Sequence, residues 1–224
     1  MNIAVHASFL SSKEFCKDYL TSEAADIEVA VTPDDIAFEA VASEIECSDK
    51  YYETLAIYRK IAEALIPREI LLVHGSTLKV DGNGYMFTAA SGVGKSTHAA
   101  LWKKLLGEKA TVINDDKPLL KISKNDVEVF GTPWSGEKSI NTNTSAPLKS
   151  ICFIEQSKVN EIRHIEKTSA IDKLVPQIYK SDNANNVVKT LELANELMKN
   201  VDFYQLKCNT DISAAQLSYK VLSA

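Results

Sequence analysis

Residues 87–102, FTAASGVGKSTHAALW, decide the reading of this chain. An apolar run, YMF, leads into them and THAALWKKLLG continues at helical spacing, so the glycines fall at a strand-to-helix junction. Glycines there let successive backbone N–H groups turn toward one point, in front of a helix N-terminus whose dipole favours an anion. Lys95 supplies a positive charge for β and γ phosphates, and Ser96 a hydroxyl for Mg²⁺, at the offsets of a Walker A loop. Ser91, Gly92, Val93, Gly94, Lys95, Ser96 and Thr97 are therefore the candidate nucleotide-binding residues. Ala89 stands where the pattern G-x-x-x-x-G-K-[ST] begins with glycine; at a strand exit a small side chain is tolerated if φ stays negative. A glycine turn that merely caps a helix would leave the lysine and hydroxyl at these offsets unexplained.

An acidic partner is expected one helix and one strand later. Asp115 and Asp116 follow the apolar run ATVIN, twenty positions after Lys95. One carboxylate can serve the metal, and its neighbour can accept a proton from an attacking hydroxyl. A paired aspartate can also be a solvated turn or a helix cap. Upstream, His74 follows ILLV and so ends a strand; alone it reads more readily as a hydrogen-bonded structural histidine. His98, on the loop's own helix, is expected to pack while partly exposed.

The flanking segments give the architecture. Residues 1–66 read as an α+β appendage packed on the core, with short apolar runs at Ile3 to Val5 and Ile27 to Thr32. A helix follows from Asp49, with Tyr51, Leu55, Tyr58, Ala62 and Leu65 on one buried face and Pro67 as its stop. Residues 67–224 read as an α/β domain with a mixed central sheet and flanking helices. Asp81-Gly82-Asn83-Gly84 marks a hairpin turn, Gly107 a helix stop, and DVEVF and KSICFIEQ further strands. Near the end, Val187, Leu191, Ala194 and Leu197 share a helix face, and FYQLK precedes a closing helix. Pro133 and Trp134 offer a rigid apolar wall to a cleft, with Glu137, Lys138, Asn141 and Asn143 as polar contacts; a core plug (Trp134) and plain surface charges (Glu137, Lys138) are the other readings.

The 224 residues carry a formal net charge of −5, with 45% hydrophobic and 25% charged residues. That balance is globular and lacks the basic patch that nucleic acid requires. Cys16, Cys47, Cys152 and Cys208 have no metal-binding spacing and read as free, buried thiols in a reducing compartment. No basic leader or long apolar run occurs, so no membrane association is expected and cytoplasmic residence is the default.

In order and spacing these pieces resemble the catalytic domain of HPr kinase/phosphorylase, within the phosphoenolpyruvate-carboxykinase-like branch of P-loop proteins. The matching residues are His74-Gly75, Ser91 to Ser96, Asp115-Asp116 and Glu128-Val129-Phe130-Gly131, with twenty-one positions from His74 to Lys95. They cover about residues 70 to 135. The resemblance implies that His74 polarises the catalytic carboxylate, Lys95 binds phosphates, Asp116 is the base with Asp115 beside it, and Ser96, Asp115 and Glu128 hold metal. Phe130 replaces the family's arginine, and no Pro-Gly-Arg segment of the phosphorylase half is found. The implied activity is that of a stand-alone kinase using ATP and Mg²⁺ on a serine- or threonine-type hydroxyl of a protein, peptide or small molecule, with a homo-oligomer left open. A non-catalytic nucleotide-binding partner protein and carboxykinase chemistry are the alternatives.

Overall fold

The computed structural model of the chain describes residues 1–43, 45–136 and 139–224, and contacts divide it into two units, Met1–Arg68 and Glu69–Ala224. In the first, β1 (Ile3–His6) leads through α1 (Leu10–Phe15) to β2 (Ile27–Ala30), which pairs with β1 in parallel. Thr32 and Asp35 then cap α2 (Pro33–Ala42) reciprocally, with proline in the first turn where its missing N–H costs nothing. Within α3 (Asp49–Leu65), the wholly buried Glu53 accepts bonds from the backbone N–H groups of Ser8 and Phe9 and from the Ser12 hydroxyl. It thereby caps α1, whose own N-cap residue Phe9 has no side-chain acceptor.

The buried face of α3 differs from the face expected. Ala62 and Leu65 are buried as expected, but Tyr52, Ala56, Ile57 and Ile61 join them in place of Tyr51, which is 49% exposed. Tyr52 sets this rotation, because its hydroxyl donates to Ile45 O and accepts from Cys47 N. A phenol with both partners inside is the better buried ring.

The second unit begins with β3 (Ile70–Leu72), β4 (Gly75–Val80) and β5 (Asn83–Thr88). Asp81 and Gly82, at φ of 49° and 84°, form the β4–β5 hairpin turn with the primed geometry that suits strand twist. The glycine-rich loop then leads to α4 (Lys95–Leu106), which returns through Gly107, at φ 58°, to β6 (Ala110–Asp116). β7 (Leu119–Ile122), β8 (Val127–Phe130), β9 (Ser145–Gln156) and β10 (Glu161–His164) follow. The chain closes with α5 (Lys167–Leu174), α6 (Ala184–Asn200), β11 (Asp202–Cys208) and α7 (Ile212–Leu222).

Among the described residues nine strands make one mixed sheet with flanking helices. The long β9 joins its parts: Ser145, Ala146 and Pro147 pair antiparallel with β8, and later residues pair in parallel with β5 and β11. β4 lies between β5 and β6, antiparallel to both, so the ends of β5 and β6 open on the same edge. ILLVHGSTLKV supplies two strands, β3 against β7 and β4 against β5 and β6, divided around His74.

A register shift sets the end of β6. Thr77 pairs with Asn114 but Leu78 with Val112, so Ile113 is an extra residue without a partner across β4. The Ile113 carbonyl instead accepts from Thr142 N at 3.0 Å, and Asp115 N donates to Ile140 O at 3.1 Å. The segment after β8 thus runs beside the end of β6.

α4 is anchored through its aromatic face. Trp102 is wholly buried, lies edge-on to Phe87 and Tyr219, and donates from Nε1 to Ser218 Oγ at 2.8 Å. His98, expected to be partly exposed, is only 2% exposed, and its Nε2 lies 2.9 Å from the same hydroxyl. Burial pushes its pKa down to about 4, so the ring is neutral. A second expectation also changes: only the C-terminal half of α6 packs, through Leu193, Ala194, Leu197 and Met198, while Val187 and Leu191 are 42% and 55% exposed.

Ser218→Ala leaves two buried ring nitrogens without their shared partner. The expected loss is about 1–3 kcal/mol of unfolding free energy, measured by urea denaturation; an unchanged midpoint would contradict this role.

Candidate active site

The loop is shaped by backbone conformation rather than by crowding. Gly92 and Gly94 take φ of 77° and 120°, and a Cβ on either would meet nothing within 4 Å. The angles therefore require glycine, and open space lies in front of them. Ala89 is not among the residues with positive φ, which is why alanine is accommodated at that position. Gly94 caps α4 without any side-chain bond, so the cap residue leaves the N–H groups of the first turn to other acceptors. Ser91, Gly92 and Thr97 are exposed, and Ser96 is half-buried in that turn.

Lys95 folds back along the loop, donating to Ala89 O at 3.1 Å and Ala90 O at 3.2 Å. Burial pushes its pKa down, against the upward pull of Asp116 and Asp115. The ammonium is thus held in the field of both carboxylates.

The two aspartates end β6 with different partners. Asp115 accepts a hydrogen bond from the buried Ser76 hydroxyl, its cross-strand neighbour. Asp116 Oδ1 lies 2.8 Å from His74 Nε2. His74 is itself fixed from both sides: its N–H donates to Gln177 O at 2.7 Å, and its carbonyl accepts from Thr88 Oγ1 at 2.7 Å. Burial of Asp116 would raise its pKa, but the His74 hydrogen bond and the charges of Lys117, His74 and Lys95 outweigh it and hold the carboxyl below its ordinary value.

Three neighbours to which the sequence reading assigns no role of their own position this pair. Asn114 is wholly buried; its Oδ1 accepts from the N–H groups of Asp116 and Lys117 at 2.9 and 2.6 Å. Its Nδ2 donates to Thr132 O, Thr132 Oγ1 and Trp134 O. One amide thus joins the aspartate turn to the segment after β8. Gly131 is required where that segment passes the bulge, because a Cβ there would stand 2.1 Å from Thr142 O and 2.8 Å from Ile113 O. Gly136, at φ 70°, lies against Asp116, with its would-be Cβ 3.4 Å from Asp116 Cβ.

His74, Lys95, Asp115 and Asp116 are thus brought to one sheet edge, with Ser96 in the adjoining helical turn. Glu128 is not part of this cluster; it accepts from Ser145 Oγ at 2.6 Å within β8 and β9. Trp134 is 8% exposed, as a plug would be, and Asn141 braces its own loop by donating to Ser135 Oγ at 2.7 Å. Glu137 and Lys138 lie outside the described residues. No group of three or more His, Cys, Asp or Glu residues forms a ready-made metal cage among the described residues.

Asn114→Ala removes the acceptor of two N–H groups and three donor contacts at once. Amide exchange at Asp116 and Lys117 is expected to accelerate by about tenfold or more, as local opening becomes easier. Unaltered protection would show that other contacts hold the turn.

Comparison with known proteins adds a family. No curated protein matches the sequence significantly. Among solved structures, the Hpr(Ser) kinase/phosphatase from Coxiella burnetii is similar at 13% identity, over 57% of this chain and 97% of that one, with a TM-score of 0.32. A likeness that slight carries no argument about fold or activity. No helix among the described residues is long and apolar enough to cross a membrane. The family model described as SynChlorMet cassette protein ScmC matches residues 48–213, which include the loop, His74 and both aspartates, and the chain belongs to that family.

Proposed function

We propose that the protein is a P-loop kinase of the HPr-kinase type, moving the γ-phosphoryl group of ATP to a serine- or threonine-type hydroxyl of a protein, peptide or small molecule. The observation that carries this reading is the His74–Asp116 pair at 2.8 Å, set in the field of the loop lysine, Lys95. A phosphate loop alone implies binding; a carboxylate held ionised beside it supplies a proton acceptor for an incoming hydroxyl. Lys95 would leave its two carbonyl partners to meet the terminal phosphates, and the N–H groups at the start of α4 would hold their oxygens.

Asp116 would accept the hydroxyl proton, and His74 orients that carboxylate through Nε2. The donor set fits a hard cation: Ser96 offers a hydroxyl, and Asp115 a carboxylate of which one oxygen is bonded to Ser76. Mg²⁺ held there with the phosphates would neutralise charge on the transferred group. Glu128 is a poorer candidate ligand because it lies within β8, opposite Lys121 and Pro147, rather than at the strand end that carries the aspartates.

Asp116→Asn is expected to keep Mg²⁺-ATP binding but lower transfer by about 10²–10⁴-fold, read by mass spectrometry of hydroxyl-bearing acceptors. Transfer at the wild-type rate would sink the assignment. Nucleotide binding with no transfer to any acceptor would favour the non-catalytic partner reading.

The pH dependence has a definite sign. Asp116 has a depressed pKa, so its carboxylate form is present above that value and is lost as pH falls through it. The acid limb of kcat/KM is therefore expected below the ordinary carboxylate range. His74→Ala removes the largest lowering interaction and should move the limb to higher pH; an unmoved limb would show that His74 does not act through Asp116.

A further inference from the structure

Within the first unit, α2 is turned inside out. Asp34, Ala37, Phe38 and Val41 recur at steps of three and four, the spacing of one helix face, and all four are exposed, Phe38 at 54% and Val41 at 89%. The opposite side carries Asp35 and Glu39, which are half-buried and paired with α3. Arg59 meets Asp35 at 3.2 Å and Glu39 at 2.6 Å, and Lys60 meets Asp35 at 2.6 Å.

A surface helix ordinarily does the reverse, burying its apolar stripe and leaving its charges in water. No residue of α2 is buried; ion pairs and the Thr32–Asp35 cap hold it instead. Single exposed apolar residues are ordinary, but a stripe at helical spacing, followed in the chain by Ile45 at 73% exposed, marks a binding face. We propose that this face docks an amphipathic helix of a partner protein, one whose apolar residues are flanked by Lys and Arg. The inference stands apart from the phosphate site.

Charge selects that partner. Residues 1–68 hold six Lys or Arg against thirteen Asp or Glu, a formal −7, whereas residues 69–224 come to +2. The chain's negative charge is thus concentrated in the unit that carries the stripe. Asp34 lies on the stripe itself, and the exposed Glu46 and Asp49 follow Ile45. The cations that touch α2, Arg59 and Lys60, are already engaged with its carboxylates. Such a surface draws a basic segment and repels an acidic one. The same charge disfavours two other occupants: a second copy would set −7 against −7, and an anionic lipid surface would meet its own sign.

Shape selects a helix. The ten residues of α2 span about 15 Å, and small Ala37 beside larger Phe38 and Val41 offers a gap and a ridge for a second helix. Arg59 lies over the Phe38 ring, 4.8 Å from its centroid, so the largest anchor of the face is held in place before binding.

The test is fluorescence anisotropy of two labelled helical peptides of about 18 residues, one built of Leu and Lys and one of Leu and Glu, added to the full chain. The Leu/Lys peptide should bind at least about tenfold more tightly than the Leu/Glu peptide. Ala37→Gln combined with Val41→Gln keeps good helix formers at two exposed positions, and should weaken Leu/Lys binding by about tenfold. Val41→Met keeps apolar contact and should stay within about twofold of wild type. Equal binding of the two peptides, binding of neither, an unchanged affinity in the double variant, or loss in the Met variant would overturn the proposal. Sedimentation that shows a dimer abolished by the double variant would give the face to a second copy. Binding to phosphatidylserine vesicles that the same variant abolishes would give it to a membrane, and either result would likewise overturn the proposal.

Discussion

The extra residue in β6 is the constraint on which the candidate site rests. Ile113 has no partner across β4, and this single insertion shifts the end of the strand by one position. Without it, Asn114 would lie opposite Ser76 and Asp115 opposite Gly75. With it, Asp115 meets the Ser76 hydroxyl, Asp116 reaches His74, and Asn114 turns into the interior to hold the segment after β8. Gly131 lets that segment approach the bulge, since any larger residue would strike backbone oxygens. Bulge, buried amide and glycine therefore form one device, and its output is the direction in which two carboxylates point.

A balance of charge follows from that geometry. Lys95 is pulled toward its neutral form by burial and toward its charged form by the two aspartates, while Asp116 is held ionised by His74 and nearby cations. Each group stabilises the charged state of the other. The anchoring of α4 keeps the lysine there: Trp102, His98 and Ser218 fix the helix behind its own N-terminus.

Much of this was legible in the sequence because the decisive signals are local. Glycines with positive φ, a lysine at a fixed offset and a strand ending in two acids can be read in order, and the Asp81-Gly82 turn announces its hairpin. The bulge was not legible, because a one-residue slip leaves the apolar pattern of ATVIN unchanged and is fixed by tertiary partners, Thr142 and Gly131. Asn114 was hidden for the same reason: a polar residue before two acids looks like a solvated turn until its five bonds are seen. The rotation of α3 and the exposed start of α6 were misplaced because periodicity identifies a helix better than it identifies which residues find partners. Tyr52 rather than Tyr51 is buried because of where its hydroxyl can bond.

The central claim is that the loop and the aspartate pair act on one phosphoryl group. A double-mutant cycle on phosphoryl transfer, with Lys95→Ala, Asp116→Asn and the two combined, tests it most directly. Residues that work as a unit show strongly non-additive losses, so the double variant should be about as impaired as the worse single one. Losses that multiply, or a wild-type protein that transfers no phosphoryl group to any hydroxyl acceptor, would contradict the account.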